Sequence, residues 1–457
     1  MNALYIVCGL GFLSLVAEIT NLKRGLIWVI ALGLAGSVVW LSDAWGMNLA
    51  YFHDMLVFDN FAIAFTSLII VVSIFWFWMA KDYFIGQSHE TDRSALVLFA
   101  LTGAIIMTSF GNMAMLFLGI EILSISLYVL AGSNKESLYS NEAAFKYFLM
   151  GSFATGFLLM GIALVYGATG SFHISKIHEF VALNSADLPG FFYAGVIMMM
   201  IGLAFKISAV PFHFWAPDVY DGSPVTITAF MATIVKVAAV AAFWRIFAST
   251  FAGIGETWTT TLQVIMILTL VIPNVTAVFQ SNVKRMLAYS SVGNVGYILL
   301  AFVANGAQSA GTIFYYLASY ALTTIAAFTI LYEVEKARQP NGFEGLYRQS
   351  PILATCMTVC MLSLAGIPPL AGFFAKYMVF SLALSNGYTG SVIIAVVTSL
   401  VGVFYYFRVI IAMYKSLPGN ANTIHPTTGS VILVTLLSIF ILALGLFPDG
   451  LISLLAH

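Results

Sequence analysis

Apolar runs of membrane length follow one another along the chain, and polar residues serve mainly to punctuate them. Fourteen stretches read as helices, at about residues 2–20, 25–42, 60–80, 95–110, 113–131, 142–168, 191–210, 224–248, 258–279, 287–303, 309–334, 351–385, 391–414 and 430–451. A helix crossing the hydrocarbon layer needs about 20 largely apolar residues. Only helices and closed barrels satisfy every backbone group in lipid, and these runs lack the alternating period of barrel strands. The pattern predicts an all-α polytopic membrane protein with about fourteen transmembrane helices.

Composition sharpens this reading. Of 457 residues 61% are hydrophobic and 8% charged, against roughly 25% charged in soluble proteins, which excludes a water-soluble domain. The net charge of −1 excludes a nucleic-acid surface. Cys8, Cys356 and Cys360 all lie in apolar runs and read as small packing residues, so no metal or iron–sulfur site and no redox cofactor is expected in this chain.

The first apolar run has no basic residue before it, whereas Lys23 and Arg24 follow it. It reads as a retained first helix. Alternate loops hold Lys23, Arg24, Lys81, Arg93, Lys135, Lys284, Arg285, Lys336, Arg338, Arg348 and Lys415, and the opposite set holds little beyond Lys176. The positive-inside rule makes the first set cytoplasmic, with both termini on the other side.

Shifting the chain against itself by 169 or 170 residues aligns Phe145-Lys146-Tyr147 with Phe314-Tyr315-Tyr316, Tyr128 with Tyr297, and Gly202 to Lys206 with Gly372 to Lys376. The offset spans five helices, an odd number, so the two copies point in opposite directions: helices 4–8 over 95–248 and helices 9–13 over 258–414. Residues 1–90 precede them and 415–457 supply the last helix. Inverted repeats with discontinuous helices mark transporter folds. The matched helices 7 and 12 carry Pro211 and Pro368-Pro369, and proline frees carbonyls by removing a donor. Pro211 also reads as a simple helix end. Gly202 and Gly372, one turn before Lys206 and Lys376, are expected to leave room for water.

Charged groups at mid-bilayer cost about 2.5–3.5 kcal/mol on insertion scales, so they face a wet or paired interior. Glu121, Lys146, Lys206, Lys236 and Lys376 all fall in apolar runs. Such a set suits proton transfer, because burial lowers a lysine pKa and an opposite charge restores it. His213 reads equally as a relay or as a packed core histidine, and Lys146, a turn from Glu142, as a relay or as half of a structural pair. Glu18 and Arg245 read as interfacial anchors and Glu333, Glu335, Lys336 and Arg338 as a solvated face. The hydroxyls and amide of Tyr289 to Asn294 are expected to bond neighbouring helices. No Walker, HExxH or nucleophile-elbow motif is present, which argues against ATP-driven transport and hydrolysis.

Several stretches resemble the antiporter-like membrane subunits of respiratory complex I. They are Phe205-Lys206 through Pro211-Phe212-His213, Trp215, Pro217-Asp218-Val219-Tyr220, Gly222 and Pro224; then Lys236; Lys284-Arg285-Met-Leu-Ala-Tyr289-Ser290-Ser291; and Glu142-Ala-Ala-Phe-Lys146-Tyr147. Among the paralogous types the resemblance is to subunit N. It implies that Glu121 pairs with the pump lysine Lys206, that Lys236 is the central relay and Lys376 the terminal lysine, and that Lys146 and His213 support the relay. It implies a bacterial inner membrane, other membrane and peripheral subunits of the complex as partners, and quinone, NADH, FMN and iron–sulfur clusters held by those partners. Where several relatives place a histidine, this chain has Asn294.

The function so implied is proton translocation in an NADH:quinone oxidoreductase, coupled to quinone reduction elsewhere in the complex. A sodium/proton antiporter subunit of the same fold and a non-pumping spacer of the membrane arm are the alternatives.

Overall fold

The computed structural model describes residues 1–20, 25–84, 90–185, 187–306, 308–337, 342–415 and 424–455. Lys23, Arg24 and Arg338, used above to orient the chain, lie outside the described residues. Among those described, thirteen helices are long and apolar enough to cross a membrane, and two shorter apolar ones, Pro351–Ala365 and Ala371–Ser385, flank the break expected in helix 12.

The chain divides into two compact units. The first comprises Met1–Ile74, Tyr83–Ile227 and Ile234–Ile265. It opens with α1 (Asn2–Ile19), α2 (Leu26–Asp43), a hairpin of β1 (Leu49–Tyr51) and β2 (Leu56–Phe58), and α3 (Asn60–Phe84), of which Phe75–Asp82 belong to the second unit. Next come α4 (Glu90–Ser109), α5 (Met113–Ala131), α6 (Leu138–Thr169), α7 (Ile174–Asn184), α8 (Gly190–Ile207) and α9 (Trp215–Gly222). The span 225–250 is built from α10 (Val225–Phe230), a π-helical turn at Met231–Val235, α11 (Lys236–Trp244) and a second π stretch at Arg245–Thr250.

Local chemistry sets these boundaries. Asn112 caps α5 by accepting from the Ala114 amide at 2.8 Å, and Gly170 ends α6 in the left-handed conformation that L residues avoid. Small residues let helix backbones approach where lipid provides no hydrophobic drive. A Cβ on Gly161 would stand 2.7 Å from the Gly195 carbonyl oxygen, which is how closely α6 and α8 meet. The hairpin and α7 were not expected from the sequence. α7 buries only Ile177 and Val181, a single i, i+4 stripe too short to stand out between two membrane runs.

The second unit comprises Phe75–Asp82, Thr228–Thr233 and Met266–His457. After α12 (Gly255–Val278), whose first turns belong to the first unit, it holds α13 (Val283–Ala304), α14 (Ser309–Lys336), α15 (Leu346–Gln349), α16 (Pro351–Ala365), α17 (Ala371–Ser385), α18 (Thr389–Tyr414), α19 (Thr428–Leu446) and α20 (Asp449–Ile452). α13 and α14 are nearly wholly buried, while α18 turns Ile393, Leu400, Phe404 and Ile411 outward and Tyr405 and Tyr406 inward. Outward apolar residues at this density suit contact with lipid.

One expectation about charges is corrected. Glu333 is not on a solvated face: it is 2% exposed and accepts from the hydroxyls of Ser430 (2.6 Å) and Thr427 (3.3 Å). A carboxylate is favoured there by the positive end of the α19 dipole. Arg245 is buried within the protein and pairs with Asp59 at 2.7 Å. Arg408 donates to the carbonyls of Val278 and Gln280, which α12 leaves open at its end.

Candidate proton-transfer site

In the first unit α8 stops at Ile207 because Ser208 turns left-handed and Pro211, four residues on from Ile207, has no N–H to continue the ladder. Trp215 at the start of α9 donates its indole N–H to the carbonyl of Phe205 at 3.1 Å and stacks on Tyr147, with 4.7 Å between ring centroids. The break is thus closed by one aromatic residue, which also fixes Tyr147.

Lys206, one residue before that end, is 5% exposed. Its ammonium donates to Ser124 Oγ at 2.8 Å and to the Tyr147 hydroxyl at 3.2 Å. The direct Glu121–Lys206 pair implied by the resemblance is not formed. Glu121 lies one turn before Ser124 on α5, its Oε1 is buried without a hydrogen-bond partner, and the serine hydroxyl takes the lysine instead. A buried carboxylate oxygen left without a partner is costly at rest.

Lys146 is held by Glu142 at 2.7 Å and Asp218 at 2.8 Å and is 39% exposed, so it ties α6 to α9 through a half-exposed ion triad. His213 is buried in the turn between α8 and α9, packed on Phe214 at 4.5 Å, with Nδ1 unpartnered. Lys236, 2% exposed, is the first residue of α11 directly after the π turn. Such turns occur often at functional sites.

The second unit repeats the device with different partners. The carbonyls of Leu364 and Ala365 end α16, and the residues that would have donated to them, four positions on, are Pro368 and Pro369, which have no N–H. Lys376 on α17 takes their place. It donates to Leu364 O at 3.0 Å, Ala365 O at 3.1 Å and Ser399 Oγ at 3.0 Å, and lies 5.0 Å from the centroid of the Tyr297 ring. An ammonium has three donors, and all three are used. The negative end of the α16 dipole compensates the charge in place of a carboxylate.

Beside Lys376 is a small cavity of about 10 Å³, room for about one water, lined from α13 by Asn294, from α14 by Tyr316, Ser319, Tyr320 and Thr323, and from the broken helix by Ser363, Leu364, Gly372 and Ala375. Tyr316 donates to Asn294 Oδ1 at 2.7 Å and Tyr320 to Ser291 at 2.8 Å, while Ser290 shares a 2.5 Å hydrogen bond with the Tyr406 hydroxyl. The Ser290 to Asn294 stretch therefore bonds neighbouring helices, as expected. Sequence reading missed Ser124, Tyr147, Tyr316, Tyr320 and Ser399. A signal existed for three cavity residues, since Tyr316, Tyr320 and Thr323 at i, i+4 and i+7 share one face of their helix.

The glycine expectation is also corrected. A Cβ on Gly202 would meet the Leu158 side chain at 2.8 Å, and one on Gly372 the Ser363 carbonyl oxygen at 1.9 Å. Both glycines admit a neighbouring helix rather than water.

Two buried lysines at the breaks of two repeat-matched helices define an antiporter-like membrane protein. Residues 111–402 match the family described as NADH:quinone oxidoreductase/Mrp antiporter, TM, and the chain belongs to that family. It is 42% identical to NADH-quinone oxidoreductase subunit N of Cytophaga hutchinsonii, covering 99% of each chain, and 43% identical to subunit N of Flavobacterium johnsoniae, covering 100% of each. Among solved structures it is similar to a chain of respiratory complex I from Thermus thermophilus with bound aureothin (TM-score 0.84, 32% identity, 100% of both chains). A chain of the Mrp complex from Dietzia shares the fold (TM-score 0.86, 21% identity, 99% and 96% covered).

Proposed function

We propose that this chain is a proton-translocating membrane subunit of an NADH:quinone oxidoreductase, with NADH, FMN, iron–sulfur clusters and quinone handled by partner subunits. The reading rests on one observation above the others: Lys206 and Lys376 stand at helix breaks, buried, each bonded to a hydroxyl that can exchange protons. Glu121 acts on Lys206 from one turn away, through Ser124 or through movement that lets the two meet. A lysine whose compensating group approaches takes up a proton, and one whose group retreats releases it. Lys236 carries protons at the centre of the chain and His213 supports Lys206, whereas we assign Lys146 to anchoring α9. The chain resides in the bacterial inner membrane with both termini on the periplasmic side.

Lys206→Met and Glu121→Gln remove a titrating group while keeping bulk, and each should cut protons pumped per NADH oxidised by at least about tenfold in the assembled complex. Pumping at the parental ratio by both variants would favour the spacer reading.

A further inference from the structure

The three partners of the Lys376 ammonium are chemically unequal. The carbonyls of Leu364 and Ala365 accept hydrogen bonds but have no hydrogen to hand on, whereas the Ser399 hydroxyl accepts at 3.0 Å and donates as well. Ser399 is half-buried on α18 and is not among the residues of α13, α14, α16 and α17 that line the cavity beside the same lysine. Lys376 thus has two proton-capable surroundings, one the cavity and the other the Ser399 hydroxyl.

The repeat-matched lysine supplies an independent observation. At the offset of 169 residues that aligns Tyr128 with Tyr297, Tyr147, which holds Lys206, falls on Tyr316, which lines the cavity beside Lys376. In one unit the ammonium bonds the tyrosine at that position. In the other it rests on Ser399 and the free carbonyls, and the matching tyrosine borders the cavity instead.

Building on the proton-carrier reading above, we propose that Ser399 is the catalytic hydroxyl through which Lys376 exchanges its proton other than with the cavity. An Nζ–H bond breaks as an O–H bond forms on Ser399, the serine passes its own hydrogen to water, and the electron pair stays on Nζ as a neutral amine. The neutral amine carries no charge for the carbonyls to compensate and turns to the Asn294–Tyr316 cavity, where water reprotonates it, at the cost of leaving the Leu364 and Ala365 carbonyls without a donor until it returns.

The test is the ratio of protons translocated to NADH oxidised by the assembled complex in proteoliposomes, for Ser399→Ala, Ser399→Asn and Ser399→Thr beside Lys376→Met. Asparagine still accepts from the ammonium but cannot relay, so the Ala and Asn variants should both lose at least about tenfold. Thr keeps the hydroxyl and should stay within about twofold, which also shows that the position tolerates substitution. Parental pumping by Ser399→Asn would make Ser399 an anchor and overturn the proposal, as would parental pumping by Ser399→Ala. Full pumping by Lys376→Met would sink the carrier reading itself, whereas a dead Lys376→Met beside an unimpaired Ser399→Ala removes the serine alone.

Discussion

Lys376 owes its place to two prolines in the break between α16 and α17. Pro368 and Pro369 leave the carbonyls of Leu364 and Ala365 without backbone donors, and a buried carbonyl without a donor is costly. The lysine satisfies both at 3.0 and 3.1 Å, so its charge is supported by broken secondary structure rather than by a salt bridge. Lys376→Arg can still donate to those carbonyls and should assemble. Arg cannot release its proton at any working pH, so coupled pumping should fall at least about tenfold while the amount of complex is kept. Vesicle acidification measured against NADH oxidation reads this directly, and an Arg variant that pumps normally would make residue 376 a fixed charge.

At the scale of elements, the broken helix is held by how closely its two halves fold back on each other. Ser363 near the end of α16 donates no space to α17: its carbonyl oxygen lies where a Cβ of residue 372 would stand, and its hydroxyl accepts from the Gly372 amide at 3.2 Å. Gly372→Ala should therefore force the halves apart, at about 1–3 kcal/mol for overpacking. The expected result is less assembled complex on native gels, with near-parental pumping per complex that does assemble. Normal assembly with lost pumping would restore the view that the glycine makes room for water. The first unit solves the same problem with the side chain of Trp215, which closes the break and stacks on Tyr147.

At the scale of the molecule, charge in the loops sets orientation. Lys135 lies between α5 and α6 and Lys176 on α7, one crossing further along, so the two belong on opposite sides of the membrane. Cysteines introduced there should label from opposite faces with an impermeant thiol reagent, Lys135 from the cytoplasmic side. Labelling from one side would overturn the count of crossings on which the inverted repeat depends.

The chain by itself determined the membrane-length helices, their approximate ends and the break at Pro368-Pro369, because apolar run length and proline act locally; it left Pro211 open between a break and a helix end, and the short α7 and the hairpin went unseen. It also exposed the buried charges, since a lysine inside an apolar run is visible without any fold. What each charge touches was decided only in three dimensions. Ser124, not Glu121, receives Lys206; Ser399, 23 residues further on, receives Lys376. Glu333 sat in a row of charges of alternating sign, and only the arrival of the α19 N-terminus buried it. A serine or tyrosine in a membrane helix looks the same whether it bonds its own backbone, a neighbour or a lysine, and the choice is made by which helices pack together.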